Sequence, residues 1–83
     1  MKNRLRVLRA EKGWTQEQLG QLLRVSRQAV NAVETEKHDP SLDLAYRIAT
    51  VFGLAVEAIF ENPHGLPGAY SDKGPDTIVR VRR

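Results

Sequence analysis

Residues that start and stop helices alternate closely along the first sixty positions and cut them into short helices. Gly13 and Gly53 stand where a helix closes on a left-handed residue, which glycine adopts without steric penalty. Thr15, Ser26 and Ser41 stand where a side-chain oxygen can accept the unpaired N–H groups of a first turn. Gln18, three residues after Thr15, completes a capping box, and Trp14 occupies the staple position facing Leu19. Between these marks the apolar residues recur at helical spacing: Leu5 and Leu8, then Leu19, Leu22 and Leu23, then Val30 and Val33. Leu44, Ala45, Ile48, Ala49 and Phe52 follow, with Ile59 and Phe60 at the end of a short last segment. The reading is an all-α domain of five helices over residues 1–61. Its first helix runs from Asn3 to Lys12, and its third from Ser26 to Glu34 or Thr35.

Size sharpens the problem. A chain of 83 residues holds one domain. A domain of that size buries only about 60–65% of the surface its unfolded chain exposes. There is no cysteine, so disulfides and thiolate metal sites are excluded, and support must come from helix packing or a second subunit. No apolar run approaches the roughly 20 residues of a membrane span. The opening Met-Lys-Asn-Arg-Leu-Arg lacks the apolar stretch of a secretory signal. The expectation is a soluble cytoplasmic protein with no membrane association. Charge is unevenly placed: residues 1–37 carry eight cations against four acids, and residues 38–70 one against four. A basic half beside an acidic middle suggests that one face meets a polyanion.

After Glu61 the composition changes. Asn62-Pro63-His64-Gly65-Leu66-Pro67-Gly68 cannot continue a helix, and Lys73-Gly74-Pro75-Asp76 is a second turn signal. Residues 77–82 alternate, with Thr77, Val79 and Val81 on one side and Ile78, Arg80 and Arg82 on the other. Residues 62–83 therefore form a C-terminal tail with one possible β-strand. Such a strand could pair across a dimer through Thr77, Ile78, Val79 and Val81, fold back on its own domain, or lend Arg80, Arg82 and Arg83 to DNA as a basic arm; the preferred reading is the dimer.

The segment from Gln16 to Thr35 is the informative one: two short helices about a tight turn, with Gly20 where the second must cross closely and Val25, Val30 and Val33 filling the angle. This is the helix-turn-helix pattern, which leaves one face of its second helix projecting. At about 100° per residue, Val30 and Val33 face inward, and Arg27, Gln28, Asn31 and Ala32 form the outward stripe. These are base-reading side chains. Arginine forks onto guanine, glutamine and asparagine pair with adenine, and alanine rests on a thymine methyl. One helix of this kind reads too few base pairs for genomic specificity, so two copies on neighbouring half-sites are expected.

The chain resembles the phage-repressor-type helix-turn-helix family, often called the XRE or Cro/C1 family. The residues that carry the resemblance are Leu5 to Leu19, Val25 to Glu34, Pro40-Ser41-Leu42, Ala45, Ile48-Ala49, Phe52-Gly53-Leu54 and Ile59-Phe60. It covers roughly residues 3 to 61 and implies a five-helix, lambda-repressor-like domain that binds operator DNA, commonly as a homodimer. It implies base contacts from Arg27, Gln28 and Asn31, a residue at Gln16 that clamps a phosphate and braces the recognition helix, a backbone contact at Lys37, and an interior ion pair between Arg9 and Glu34. Arg24 and Glu36 depart from the pattern, standing where glycine is usual. Arg24 adds a cation near the groove, and Arg4, with Lys2 and Arg6, is placed to touch phosphates.

The expected function is sequence-specific binding of double-stranded DNA by a transcriptional regulator, most simply a homodimeric repressor, nucleoid-associated when bound. Two alternatives stay open: an antitoxin that regulates its own promoter and meets a protein partner through the tail, and an interaction module without DNA binding. No cofactor is implied. The sequence has no cysteine, no paired carboxylates and no glycine-rich phosphate loop, so an enzyme is not expected. His38 and His64 are isolated and have no partners at metal spacing.

Overall fold

The computed structural model describes residues 1–65. Five helices follow one another: α1 (Leu5–Lys12), α2 (Gln16–Leu23), α3 (Arg27–Glu34), α4 (Leu42–Phe52) and α5 (Val56–Ile59). The starts of α2, α3 and α4 are set by hydroxyl caps. Gln18 donates its N–H to Thr15 at 3.0 Å while the Thr15 N–H donates to the Gln18 side chain at 2.8 Å. The Ser26 hydroxyl accepts from the Ala29 N–H, and the Ser41 hydroxyl from the Leu44 N–H. Each satisfies an N–H that the helix cannot.

The stops share one device. α1, α2, α3 and α4 each run into a residue of positive φ: Gly13 (73°), Arg24 (64°), Glu36 (65°) and Gly53 (66°). In every case the next residue reaches back five positions. Trp14 N–H donates to Arg9 C=O, Val25 to Gly20, Lys37 to Ala32 and Leu54 to Ala49, at 2.9–3.2 Å. These are Schellman closures, and they occupy two carbonyls of each last turn that the helix itself leaves free.

Leu5, Leu8, Leu19, Leu23, Val30, Val33, Ala45, Ile48, Ile59 and Phe60 form the core. Val25, Leu44, Ala49 and Phe52 are half-buried against it. Leu22, expected in the apolar stripe of α2, is instead about half exposed, because Leu19 and Leu23 already fill the inward positions. Trp14 is half-buried, and its ring partner is Phe52 of α4, with centroids 5.6 Å apart and planes tilted by 45°. α1 begins at Leu5 rather than Asn3, since Asn3 is used elsewhere. It forms an antiparallel bridge with Phe60, flanked by bonds from Arg4 N–H to Ile59 C=O (2.9 Å) and Glu61 N–H to Lys2 C=O (2.8 Å). The Asn3 carboxamide also accepts the Leu5 N–H and donates to Val33 C=O at 2.9 Å, tying both ends of the helical unit to α3.

The expected strand at residues 77–82 lies outside the described residues. No helix among the described residues is long and apolar enough to cross a membrane.

Candidate nucleic-acid interface

α2 and α3 are joined by a turn of three residues, 24–26, whose sharpness depends on Gly20 and Arg24. A Cβ placed on Gly20 would lie 2.7 Å from the Val25 carbonyl oxygen, a backbone atom, and 3.4 Å from Ser26. The bare α-carbon lets the turn lie directly on α2. Arg24 supplies the left-handed residue, a conformation disfavoured by roughly 1–2 kcal/mol for a residue with a Cβ. Arg24→Gly is expected to raise stability by about 1 kcal/mol, visible as a rise in Tm of roughly 4–8 °C. A fall in Tm would show that the arginine side chain contributes more to the fold than its backbone strain removes.

With Val30 and Val33 buried, α3 directs its other face outward. Arg27 and Gln28 are exposed; Asn31 and Ala32 are half-buried beside them. The sole acid of α3 is withdrawn from that face. Glu34 has a side chain only 2% exposed, and it receives Arg9 Nε at 2.6 Å and a second guanidinium nitrogen at 3.2 Å. Arg9 also donates to the Trp14 carbonyl at 2.8 Å. Gln16, from the first turn of α2, donates its side-chain amide to Glu34 at 3.0 Å. The Glu34 hydrogen bond holds the Arg9 guanidinium above its ordinary pKa; partial burial opposes this and the carboxylate charge assists it. A cation raised in this way loses its contribution only as pH climbs beyond the arginine range, so Arg9 stays charged throughout the neutral range. α3 is thereby locked to α1 and α2 by one inward carboxylate, and its outer face carries no anion.

The structure brings Arg9, Gln16 and Glu34 into one network, and Arg27, Gln28, Asn31 and Ala32 onto one helix face. Arg24 is exposed in the turn, Lys37 is exposed just beyond α3, and Arg4 is exposed at the entrance to α1. Two further residues brace the unit. Arg47 of α4 donates to the Leu23 carbonyl at the end of α2 and pairs with Asp43 at 2.6 Å. The terminal amine of Met1 meets Asp39 in the loop after α3 at 3.0 Å. The Arg47–Asp43 half was readable as an i, i+4 pair; the contact with Leu23 is tertiary and leaves no local sign. Among the described residues no group of histidine and acidic side chains could hold a metal.

The sequence model of the helix-turn-helix family matches residues 5–59, spanning all five helices. The chain belongs to that family. The chain matches helix-turn-helix relatives over most of their length. An uncharacterized HTH-type transcriptional regulator of Methanocaldococcus jannaschii is 52% identical over 60 residues, which are 72% of this chain and 91% of that one. The HTH-type regulator YgzD of Bacillus subtilis, also uncharacterized, is 43% identical over 60 residues, 72% of this chain and 91% of its own. Among solved structures, a hypothetical transcription factor, NHTF, from Neisseria superposes with a TM-score of 0.62 at 31% identity, over 66% of this chain and 62% of that one. Family and fold are those of a transcription-factor helix-turn-helix domain and not of an enzyme. The XRE-type resemblance carried by residues 3 to 61 and the family match agree.

Proposed function

We propose that this helix-turn-helix protein binds double-stranded DNA as a homodimer, reads the major groove with α3, and represses transcription by occupying its operator. One observation carries the reading. α3 presents Arg27, Gln28 and Asn31 on a face from which its only carboxylate has been turned inward and neutralised. Those side chains have the donor and acceptor geometry to read guanine and adenine edges, with Ala32 beside them for a thymine methyl. Gln16, Lys37, Arg24 and Arg4 are the phosphate contacts. Gln16 has a second amide hydrogen free of its bond to Glu34, and its place in the first turn of α2 suits an anion. Two copies supply the specificity that one short reading face lacks. The dimerisation segment of this reading is Thr77, Ile78, Val79 and Val81, and the helical domain ends near residue 61.

Selection of binding sites from random DNA by the purified protein tests it. Arg27→Ala and Gln28→Ala are each expected to relax preference at one operator position by about 1–3 kcal/mol, with circular dichroism unchanged. A binding-site profile indifferent to both would end the groove assignment. Arg24→Gly should also lower the slope of log K against log salt by about 0.9, the share of one phosphate.

A further inference from the structure

α4 and α5 enclose an open groove of about 570 Å³ on the protein surface. Its lining includes Leu42, Tyr46, Ala49 and Val56, together with the carboxylate-bearing Glu57 and Glu61. Leu42 is 68% exposed and Tyr46 59% exposed, so large apolar side chains stand open to water where the core has no use for them. Residues 62–64 form another wall of the groove, and the chain runs on from there into its tail.

Resting on the homodimer reading above, we infer that this groove receives residues 77–83 of a second copy of the chain, the two copies exchanging tails. The chemistry of the segment is complementary to the groove. Ile78, Val79 and Val81 supply apolar side chains, and Arg80, Arg82 and Arg83 supply cations. Of the four acids in residues 38–65, Asp43 pairs with Arg47 and Asp39 with the terminal amine of Met1, itself a lining residue; the carboxylates that line the groove are Glu57 and Glu61. The eleven residues 66–76 can span about 36 Å when extended, enough to carry the segment clear of its own domain. A chain bearing both a receptor and its ligand can close a twofold pair by reciprocal exchange, and each contact is then made twice.

The absence of cysteine allows a clean test. A spin label on Asp76→Cys, in unenriched protein, is mixed with ¹⁵N-labelled full-length chain, and sedimentation of the same sample gives the oligomeric state. The expected result is a dimer in which the amide signals of Tyr46, Ala49, Val56 and Phe60 are lost through relaxation by the partner's label. Glu57→Lys with Glu61→Lys in the ¹⁵N chain should restore them, and both positions are exposed, so the fold should tolerate the change. A dimer with no loss at the groove, or with loss confined to residues 77–82, overturns the inference and leaves the homodimer standing. Loss seen only when label and ¹⁵N share one chain places the tail on its own domain and also overturns it. A monomer at every concentration defeats the homodimer reading itself.

Discussion

Arg9→Ala is expected to lower the unfolding free energy by about 3–5 kcal/mol, a large part of the 5–15 kcal/mol typical of a domain. The physical reason is asymmetric burial. The Glu34 side chain is 2% exposed and the Arg9 side chain 17%. Removing the arginine strands a carboxylate inside the protein with the Gln16 amide as its remaining side-chain donor. Removing the carboxylate instead leaves a long cation that can swing to water. Glu34→Ala should therefore cost clearly less than Arg9→Ala, and Arg9→Met with Glu34→Leu should recover most of the loss, since apolar pairs of similar volume often replace buried ion pairs without penalty. Urea unfolding of the three variants distinguishes these cases. Equal losses for the two single variants would mean that burial does not set the energetics of this pair.

Gly20→Ala is expected to destabilise by about 1–3 kcal/mol, although the same change at an ordinary helical position stabilises by about 1 kcal/mol. The added methyl would meet the Val25 carbonyl at 2.7 Å, and neither backbone segment can rotate away as a side chain would. The turn must open, and α3 tilts with it. Thermal unfolding should show the drop in Tm, and operator affinity should fall further than the folded fraction accounts for, because the reading face is re-aimed. A Tm at or above that of the parent would remove Gly20 from the explanation of the turn.

The helix boundaries were legible because they are local. Thr15, Ser26 and Ser41 each cap with an oxygen three residues from the N–H it receives, and Gly13 and Gly53 close helices by their own backbone freedom. The substitution of Arg24 and Glu36 at glycine-like sites was legible only against the family pattern, and both have positive φ. What could not be read joins distant positions without periodicity. The Asn3–Phe60 bridge spans most of the described chain, and it moved the start of α1 to Leu5. The Trp14–Phe52 contact and the Arg47–Leu23 bond depend on where α4 lands. Leu22 fits a helical stripe as well as Leu19 does; only the packed structure shows that α2 is too narrowly covered to bury it. The α3 face was legible because Val30 and Val33 fix which way the helix turns; the brace from Gln16 to α3 was legible only against the family pattern, and its acceptor, Glu34, was not.

The bridge between Asn3 and Phe60 sets the two ends of the helical unit side by side, anchored through the Asn3 carboxamide to the last turn of α3. Cargo fused ahead of Asn3 or behind Phe60 would hang from one and the same point. Whatever precedes Asn3 and whatever follows Phe60 thus share one exit from the helical unit, beside the last turn of α3.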